Sequence, residues 1–199
     1  AFSRVGRGDD AIRHYEEAIR LKPAHFEALD NLGCELVLKG RLPEAIARFE
    51  EAIRLSPDSV KYRRDLGTAL ARAGRLPEAI VQFEHVARLD PATPASHAVL
   101  GNALAAAGRW DEALARFQSA LRLAPDDADL HGNVGVALGT LGKYPEAVVA
   151  LQAAIRLRPD LIAAHNNLAQ ILRSLGKNLE AAHHYDEAER LRQQASRPR

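Results

Sequence analysis

Apolar residues recur at intervals of three and four residues along most of the chain, and this spacing predicts amphipathic α-helices rather than strands. Ala45, Phe49 and Ala52, for example, lie on a single helical face. Glycine precedes this apolar stripe at Gly40, and proline follows it at Pro57. Because glycine favours the end of a helix and proline cannot continue one, the pattern predicts helix pairs separated by tight turns and short linkers.

The pattern repeats every 34 residues, without insertion or deletion. The linker prolines are Pro23, Pro57, Pro91, Pro125 and Pro159. The turn glycines are Gly6, Gly40, Gly74, Gly108, Gly142 and Gly176, and the bulky residues of the second helix are Tyr15, Phe49, Phe83, Phe117, Leu151 and Tyr185. One helix pair cannot bury its apolar face alone, so the period predicts an all-α solenoid of stacked antiparallel pairs.

The repeat register divides the chain into one partial and five complete repeats. The partial repeat covers residues 1–25, the complete repeats cover 26–59, 60–93, 94–127, 128–161 and 162–195, and a tail covers 196–199. Phe2 occupies the place that Leu36 has in the next repeat, and the chain contains no methionine. Both observations lead us to expect a piece of a longer protein. The polar last helix predicts a solvated cap.

The glycines and prolines also predict local geometry. Gly40 and its equivalents are expected to adopt the left-handed conformation that ends a helix. Pro43, Pro77 and Pro145 suit the first turn of the second helix, which places the helix break at Leu42, Leu76 and Tyr144. Gly33, Gly67, Gly101 and Gly135 lie inside the first helix, where each costs about 1 kcal/mol. They predict a close approach of two helix backbones, so a large residue at Gly67 or Gly101 should be strongly destabilising.

These features together resemble the tetratricopeptide repeat family. The resemblance rests on the 34-residue period, Leu-Gly in the first helix as at Leu32-Gly33, Glu-Ala in the second as at Glu44-Ala45, and the closing proline. It implies a right-handed superhelix whose first helices line a concave groove for an extended peptide or a partner helix. The chain departs from the family where an aromatic residue often precedes the first-helix leucine by three positions. Leu29, Arg63, His97, His131 and His165 stand there.

Asparagines are the first candidates for groove residues. Asn31, Asn133 and Asn167 each directly precede the leucine or valine that recurs at the same place in every first helix. A carboxamide can both donate to and accept from a peptide backbone. The arrangement resembles the asparagine ladder of O-linked N-acetylglucosamine transferase, although asparagine is also the ordinary residue at this place in the family. The predicted groove residues are Asn31, Lys61, Arg64, Thr68, Asn102, Asn133, Asn166, Asn167, Gln170 and Arg173.

Charged residues suggest a second hypothesis for the ligand. Lys61, Arg64 and Arg72 form a predicted basic patch, which is followed in the next repeat by small residues such as Ala95 and Ala98. This pattern suits a ligand with an acidic group and bulky apolar side chains, and a solvated face with unrelated charges is the alternative. The carboxylate clamp of chaperone-binding relatives is disfavoured, because no three consecutive repeats present its cations and asparagines.

Composition excludes several other classes. Twenty-seven Lys and Arg against 26 Asp and Glu give a net charge of +1, which disfavours nucleic-acid binding. No apolar run approaches the roughly 18 residues of a membrane span. Cys34 is the single cysteine, and His97, His131 and His165 are one repeat apart, too far to share an ion, so no metal or cofactor is predicted. No catalytic constellation is present, and the chain is not expected to be an enzyme.

The sequence therefore predicts a protein-interaction scaffold that binds a protein or peptide. One alternative is the substrate-recognition region of a larger enzyme, such as a glycosyltransferase. Another is a self-assembling module that associates with a second copy through an apolar edge at residues 1–25. The chain start lacks the apolar segment of a secretion signal, which makes the cytoplasm the default expectation.

Overall fold

A computed structural model describes residues 8–196, and this part of the chain contains α-helices and no strand. The predicted all-α class of helix pairs is therefore confirmed. The helices are α1 (Gly8–Leu21), α2 (Phe26–Leu38), α3 (Leu42–Leu55), α4 (Val60–Arg72), α5 (Leu76–Leu89), α6 (Pro94–Ala106), α7 (Trp110–Leu123), α8 (Ala128–Thr140), α9 (Tyr144–Leu157), α10 (Ile162–Ser174) and α11 (Asn178–Ala195). The expectations that concern Phe2, Gly6 and the last three residues of the tail lie outside the described residues.

The described residues form two compact units, which divide between Pro91 and Ala92. In the first unit, α2 packs along α3 and α4 packs along α5. In the second unit, the pairs are α6 with α7, α8 with α9, and α10 with α11. Within each unit the first helices of consecutive pairs also touch, as α2 does with α4 and α8 with α10. The repeat boundaries given above stay a prediction. No helix in residues 8–196 is long and apolar enough to cross a membrane.

The turn glycines end the first helices as predicted. Gly40 has a φ of 74°, and its N–H donates to the Val37 carbonyl at 3.1 Å. The N–H of Arg41 donates to the Leu36 carbonyl at 2.9 Å, which completes a Schellman motif. A residue with a side chain would be strained at this φ. The left-handed glycines of residues 8–196 are Gly40, Gly74, Gly108, Gly142 and Gly176, with φ from 74° to 77°.

The second helices begin one residue earlier than the prolines predict. Arg41, rather than Leu42, has the non-helical backbone angles, with φ −82° and ψ 58°. Its carbonyl accepts the first bond of α3, from the Ala45 N–H at 3.0 Å. Pro43 lies in the first turn as expected, because that turn needs no backbone donor.

The glycines inside the first helices accommodate side chains rather than a second backbone. A Cβ on Gly33 would lie 2.6 Å from Cε1 of Phe49, and one on Gly67 would lie 2.7 Å from Cε1 of Phe83. The predicted close approach is therefore real, but its partner is the ring from the second helix of the same pair. Phe49 is only 1% exposed, so this contact contributes to the core.

Polar residues that stand three positions before the first-helix leucine or valine contact the carbonyl of the linker proline. The Arg63 Nε donates to the Pro57 carbonyl at 2.8 Å. At the equivalent position in later repeats, the His131 Nε2 lies 2.8 Å from the Pro125 carbonyl and the His165 Nε2 lies 3.0 Å from the Pro159 carbonyl. These contacts give the histidines a structural role at the carbonyl that follows each second helix.

Candidate functional site

Each unit has a cleft between two consecutive first helices, with the following second helix at its floor. The first-unit cleft lies between α2 and α4, has a volume of about 240 Å³, and is lined by Cys34, Val37, Leu38, Phe49, Asp65, Thr68 and Ala69. The second-unit cleft lies between α8 and α10, has a volume of about 180 Å³, and is lined by Gly135, Val136, Gly139, Thr140, Tyr144, Leu151, Asn167, Gln170, Ile171 and Ser174.

The two clefts occupy the same positions of the repeat. Asn167 lies 102 residues after Asp65, which is three periods of 34. The same step relates Gln170 to Thr68. It also relates the other shared lining positions, which are Cys34 and Val136, Val37 and Gly139, Leu38 and Thr140, Phe49 and Leu151, and Ala69 and Ile171. The two clefts are therefore formed by the same positions of the repeat but are lined by different residue types.

The floors of both clefts are apolar and buried. Phe49 is 1% exposed in the first unit, and Leu151 is 0% exposed in the second. Each packs on the glycine of its own pair, since a Cβ on Gly135 would lie 2.6 Å from Cγ of Leu151. The packing that forms the repeat thus also forms the floor of the cleft.

Charged groups converge at the rim of the first-unit cleft. The Lys61 ammonium forms an ion pair with Asp30 and a second one with Asp65, at 3.3 Å from Oδ2. Asp30 lies one helical turn before Cys34 on α2, so the two side chains share a face. One ligand atom from each of Asp30, Cys34 and Asp65 lies within 4.8 Å of the others. The second-unit positions equivalent to Asp30 and Lys61 carry no charge.

Burial and the neighbouring charges together set the pKa values of this cluster. It raises the pKa of Asp30, against the hydrogen bond and charge of Lys61. It disfavours the Lys61 ammonium, but the hydrogen bond and charge of Asp30, with help from Asp65, leave the pKa of Lys61 raised. Burial, together with the charges of Asp30 and Asp65, raises the pKa of Cys34 to about 11. The thiol is therefore protonated at neutral pH and is a poor nucleophile.

Neutral carboxamides line the second-unit cleft. Asn167 is half-buried and Gln170 is exposed, and both belong to α10. Val136 and Ile171 cover the opposite sides with apolar surface. This arrangement can offer a donor and an acceptor at the edge of an apolar recess.

The structure brings together only part of the predicted groove set. Thr68 lines the first-unit cleft, and its hydroxyl donates to the Arg64 carbonyl at 2.8 Å. Asn167 and Gln170 line the second-unit cleft. The remaining predicted residues line neither cleft, and they are Asn31, Lys61, Arg64, Asn102, Asn133, Asn166 and Arg173.

Two findings change the expected charge of the first unit. Lys61 is paired with two carboxylates, so Arg64 and Arg72 are the cations left to the predicted basic patch. The buried Asp30 and its neighbour Cys34 were absent from the predicted site. Their spacing of four residues and the aspartate at Asp65, where other repeats have asparagine, were the available signals.

Helix pairs of this period, with left-handed turn glycines and a bulky side chain on each mid-helix glycine, define a tetratricopeptide repeat protein. The family profile described as the Cilia and flagella-associated protein 70 C-terminal domain matches residues 3–198, and the chain belongs to this family. A search of curated proteins found no match.

Solved structures share the fold at low sequence identity. MamA from residue 41 to its end, from Desulfovibrio magneticus RS-1, superposes with a TM-score of 0.80 at 22% identity, over 86% of this chain and 97% of that chain. YrrB, described as a tetratricopeptide repeat protein with an unusual peptide-binding site, gives 0.72 at 20% identity, over 89% and 91%. Cut9 or Hcn1, in the hetero-tetramer of the two proteins from the APC/C, gives 0.71 at 20% identity, over 93% and 37%.

Proposed function

We propose that this chain is a protein-interaction scaffold and that the second-unit cleft binds an extended peptide segment of a partner protein. The observation that carries the proposal is the position of Asn167 and Gln170 at the rim of a cleft with an apolar floor. The floor receives one aliphatic side chain of the peptide, and the carboxamides hold its backbone.

The chemistry of the rim favours a peptide over a charged small molecule. A carboxamide donates to a peptide carbonyl and accepts from a peptide N–H, so Asn167 and Gln170 together match an extended backbone. Val136 and Ile171, which are only partly buried, supply apolar surface without a charge. The recess of about 180 Å³ is small, which limits the side chain that it admits to a compact apolar one.

Structures with the same fold agree with a binding role. The description of YrrB names a peptide-binding site, and Cut9 is described in a complex with Hcn1. Neither protein identifies a ligand for this chain, so the proposal rests on the cleft itself.

Selection of peptides tests the proposal directly. Peptides are selected from a random displayed library on the wild-type chain, and their dissociation constants are measured by fluorescence anisotropy. We expect Asn167→Ala and Gln170→Ala each to weaken binding by about three- to tenfold, because each removes a hydrogen bond worth about 0.5–1.5 kcal/mol.

The matched control is Gln152→Ala, which removes an exposed carboxamide from α9 outside the cleft. It should leave the dissociation constant unchanged. Equal binding by the wild type and by both cleft variants would contradict the proposal and would direct attention to another surface.

A further inference from the structure

We propose that Asp30, Cys34 and Asp65 bind a divalent transition-metal ion of the zinc type, which displaces the Lys61 ammonium from between the carboxylates. The proposed site is separate from the second-unit cleft and does not depend on peptide binding there.

The three side chains are placed for a common ion. Asp30 and Cys34 project from one face of α2, and Asp65 projects from the neighbouring α4. Their ligand atoms lie within 4.8 Å of one another. On one tetrahedral zinc ion, oxygen and sulfur ligands stand about 3.4–3.6 Å apart, given metal distances of about 2.0–2.3 Å. Coordination therefore requires side-chain rotations that bring these atoms closer together.

A buried oxygen of Asp30 lacks a partner. The side chain is 2% exposed, and its Oδ1 has no hydrogen-bond donor among the described residues, whereas its other oxygen contacts Lys61. An unsatisfied buried oxygen is costly, and native proteins rarely retain one without a ligand, water or function. A cation coordinated at this oxygen would remove the deficit.

Packing of the repeat does not require this buried carboxylate. The positions equivalent to Asp30 in later repeats hold Arg64, Ala98, Gly132 and Asn166. The position of Cys34 varies as freely, with Thr68, Asn102, Val136 and Gln170. The cluster is therefore a feature of one place in the chain rather than of the fold.

The donor set selects the class of ion. One thiolate and two carboxylates suit zinc and cobalt, while magnesium and calcium prefer oxygen ligands alone. On binding, the Cys34 thiol releases its proton to solvent as the sulfur–metal bond forms, and the Lys61 ammonium turns to solvent with its charge. Cys34 and Asp65 are half-buried at the cleft, which leaves solvent access for a fourth ligand.

Cobalt(II) is the probe, because a cobalt–thiolate bond gives a near-ultraviolet charge-transfer band. Cys34 is the single cysteine of the 199 residues, so the band reports this site alone in tag-free protein. We expect the band to saturate at one equivalent of cobalt. Since one proton leaves the thiol, the dissociation constant should fall about tenfold from pH 7 to pH 8.

Four variants locate the ion. Cys34→Ser should abolish the band, and Asp30→Asn and Asp65→Asn should each weaken binding at least about tenfold. Asparagine already occupies the position of Asp65 in other repeats, so this variant is expected to fold, which circular dichroism checks. Lys61→Met should strengthen binding, because it removes the competing ammonium, and Asp58→Asn is the matched control on an exposed carboxylate.

Two results would overturn the proposal. One is the absence of the band from wild-type protein at millimolar cobalt and pH 8, whatever Lys61→Met shows. The other is a band that keeps its affinity in both folded Asp30→Asn and folded Asp65→Asn proteins.

Discussion

The two clefts share their floor and differ at their rim. Phe49 and Leu151 fill equivalent buried positions, but the first-unit rim has Asp65 where the second-unit rim has Asn167. The buried floor is fixed by packing, since each of these side chains contacts the glycine of its own helix pair. The rim is free of that constraint, so the repeat can change its chemistry from ionic to amide without changing its backbone.

A second equivalent pair shows the same contrast. The Arg63 Nη1 donates to Gln82 Oε1 at 3.1 Å in the first unit. At the same repeat positions in the second unit, the Nδ1 atoms of His165 and His184 lie 3.1 Å apart. A contact between a first and a second helix is kept in both units, but the second-unit version consists of two imidazoles.

The shared floor gives the largest predicted effect. Phe49→Ala should lower the free energy of unfolding by about 3–5 kcal/mol, and Leu151→Ala by about 2–5 kcal/mol, because each leaves a cavity in a closed core. Urea denaturation followed by circular dichroism measures both. Val149→Ala is the control on α9, where the side chain is 64% exposed, and a loss as large as that of Leu151→Ala would contradict the assigned floor.

Two glycines of α8 separate packing from helix propensity. A Cβ on Gly135 would meet Leu151, whereas one on Gly132 would meet nothing within 4 Å. We expect Gly135→Ala to destabilise the protein by about 1–3 kcal/mol through overpacking, and Gly132→Ala to stabilise it by about 1 kcal/mol. Urea midpoints that move in the same direction for both variants would show that the contact between Gly135 and Leu151 does not determine the effect of the substitution.

The smallest predicted effect is a pH dependence of the second unit. Burial, followed by the charges of His165 and His183, lowers the pKa of His184, against the weaker pull of Glu180 and Glu187. The unfolded chain therefore takes up a proton on His184 more readily than the folded chain. The associated stability is complete above the unfolded pKa of about 6.5 and is lost as pH falls through the folded value.

His184→Gln tests this dependence, because it installs the residue that Gln82 provides in the first unit. Between pH 7.5 and pH 5, the wild type should lose more free energy of unfolding than the variant. Identical pH profiles from thermal or urea unfolding would show that His184 contributes nothing to the acid response.

Sequence alone predicted the parts of the fold that depend on local chemistry. The turn glycines adopt the expected left-handed φ because only glycine has that conformation without strain. The position of the second helices was right to within one residue, since the Pro43 ring restricts the backbone before it. The mid-helix glycines were assigned a backbone partner, but periodicity could not show that the Phe49 ring reaches Gly33.

The sequence predicted the candidate site less completely than it predicted the fold. The predicted groove residues follow from their place in the first helix and from their residue type, and of these Thr68, Asn167 and Gln170 line one of the two clefts described. The Asp30 cluster was missed because its members come from two helices. Lys61 stands 31 residues after Asp30 in the sequence and was interpreted as a free cation. Burial and pairing are tertiary properties, which a single repeat pattern does not contain.

The most direct test of the central claim exchanges the rim chemistry without changing its size. Asn167→Asp gives the second-unit cleft the residue that Asp65 provides in the first. The affinity of a selected peptide is then measured for the wild type and this variant by fluorescence anisotropy. We predict a loss of about tenfold, because a carboxylate cannot donate to a peptide carbonyl. An unchanged dissociation constant would contradict the claim that the rim amides of the second-unit cleft bind the partner.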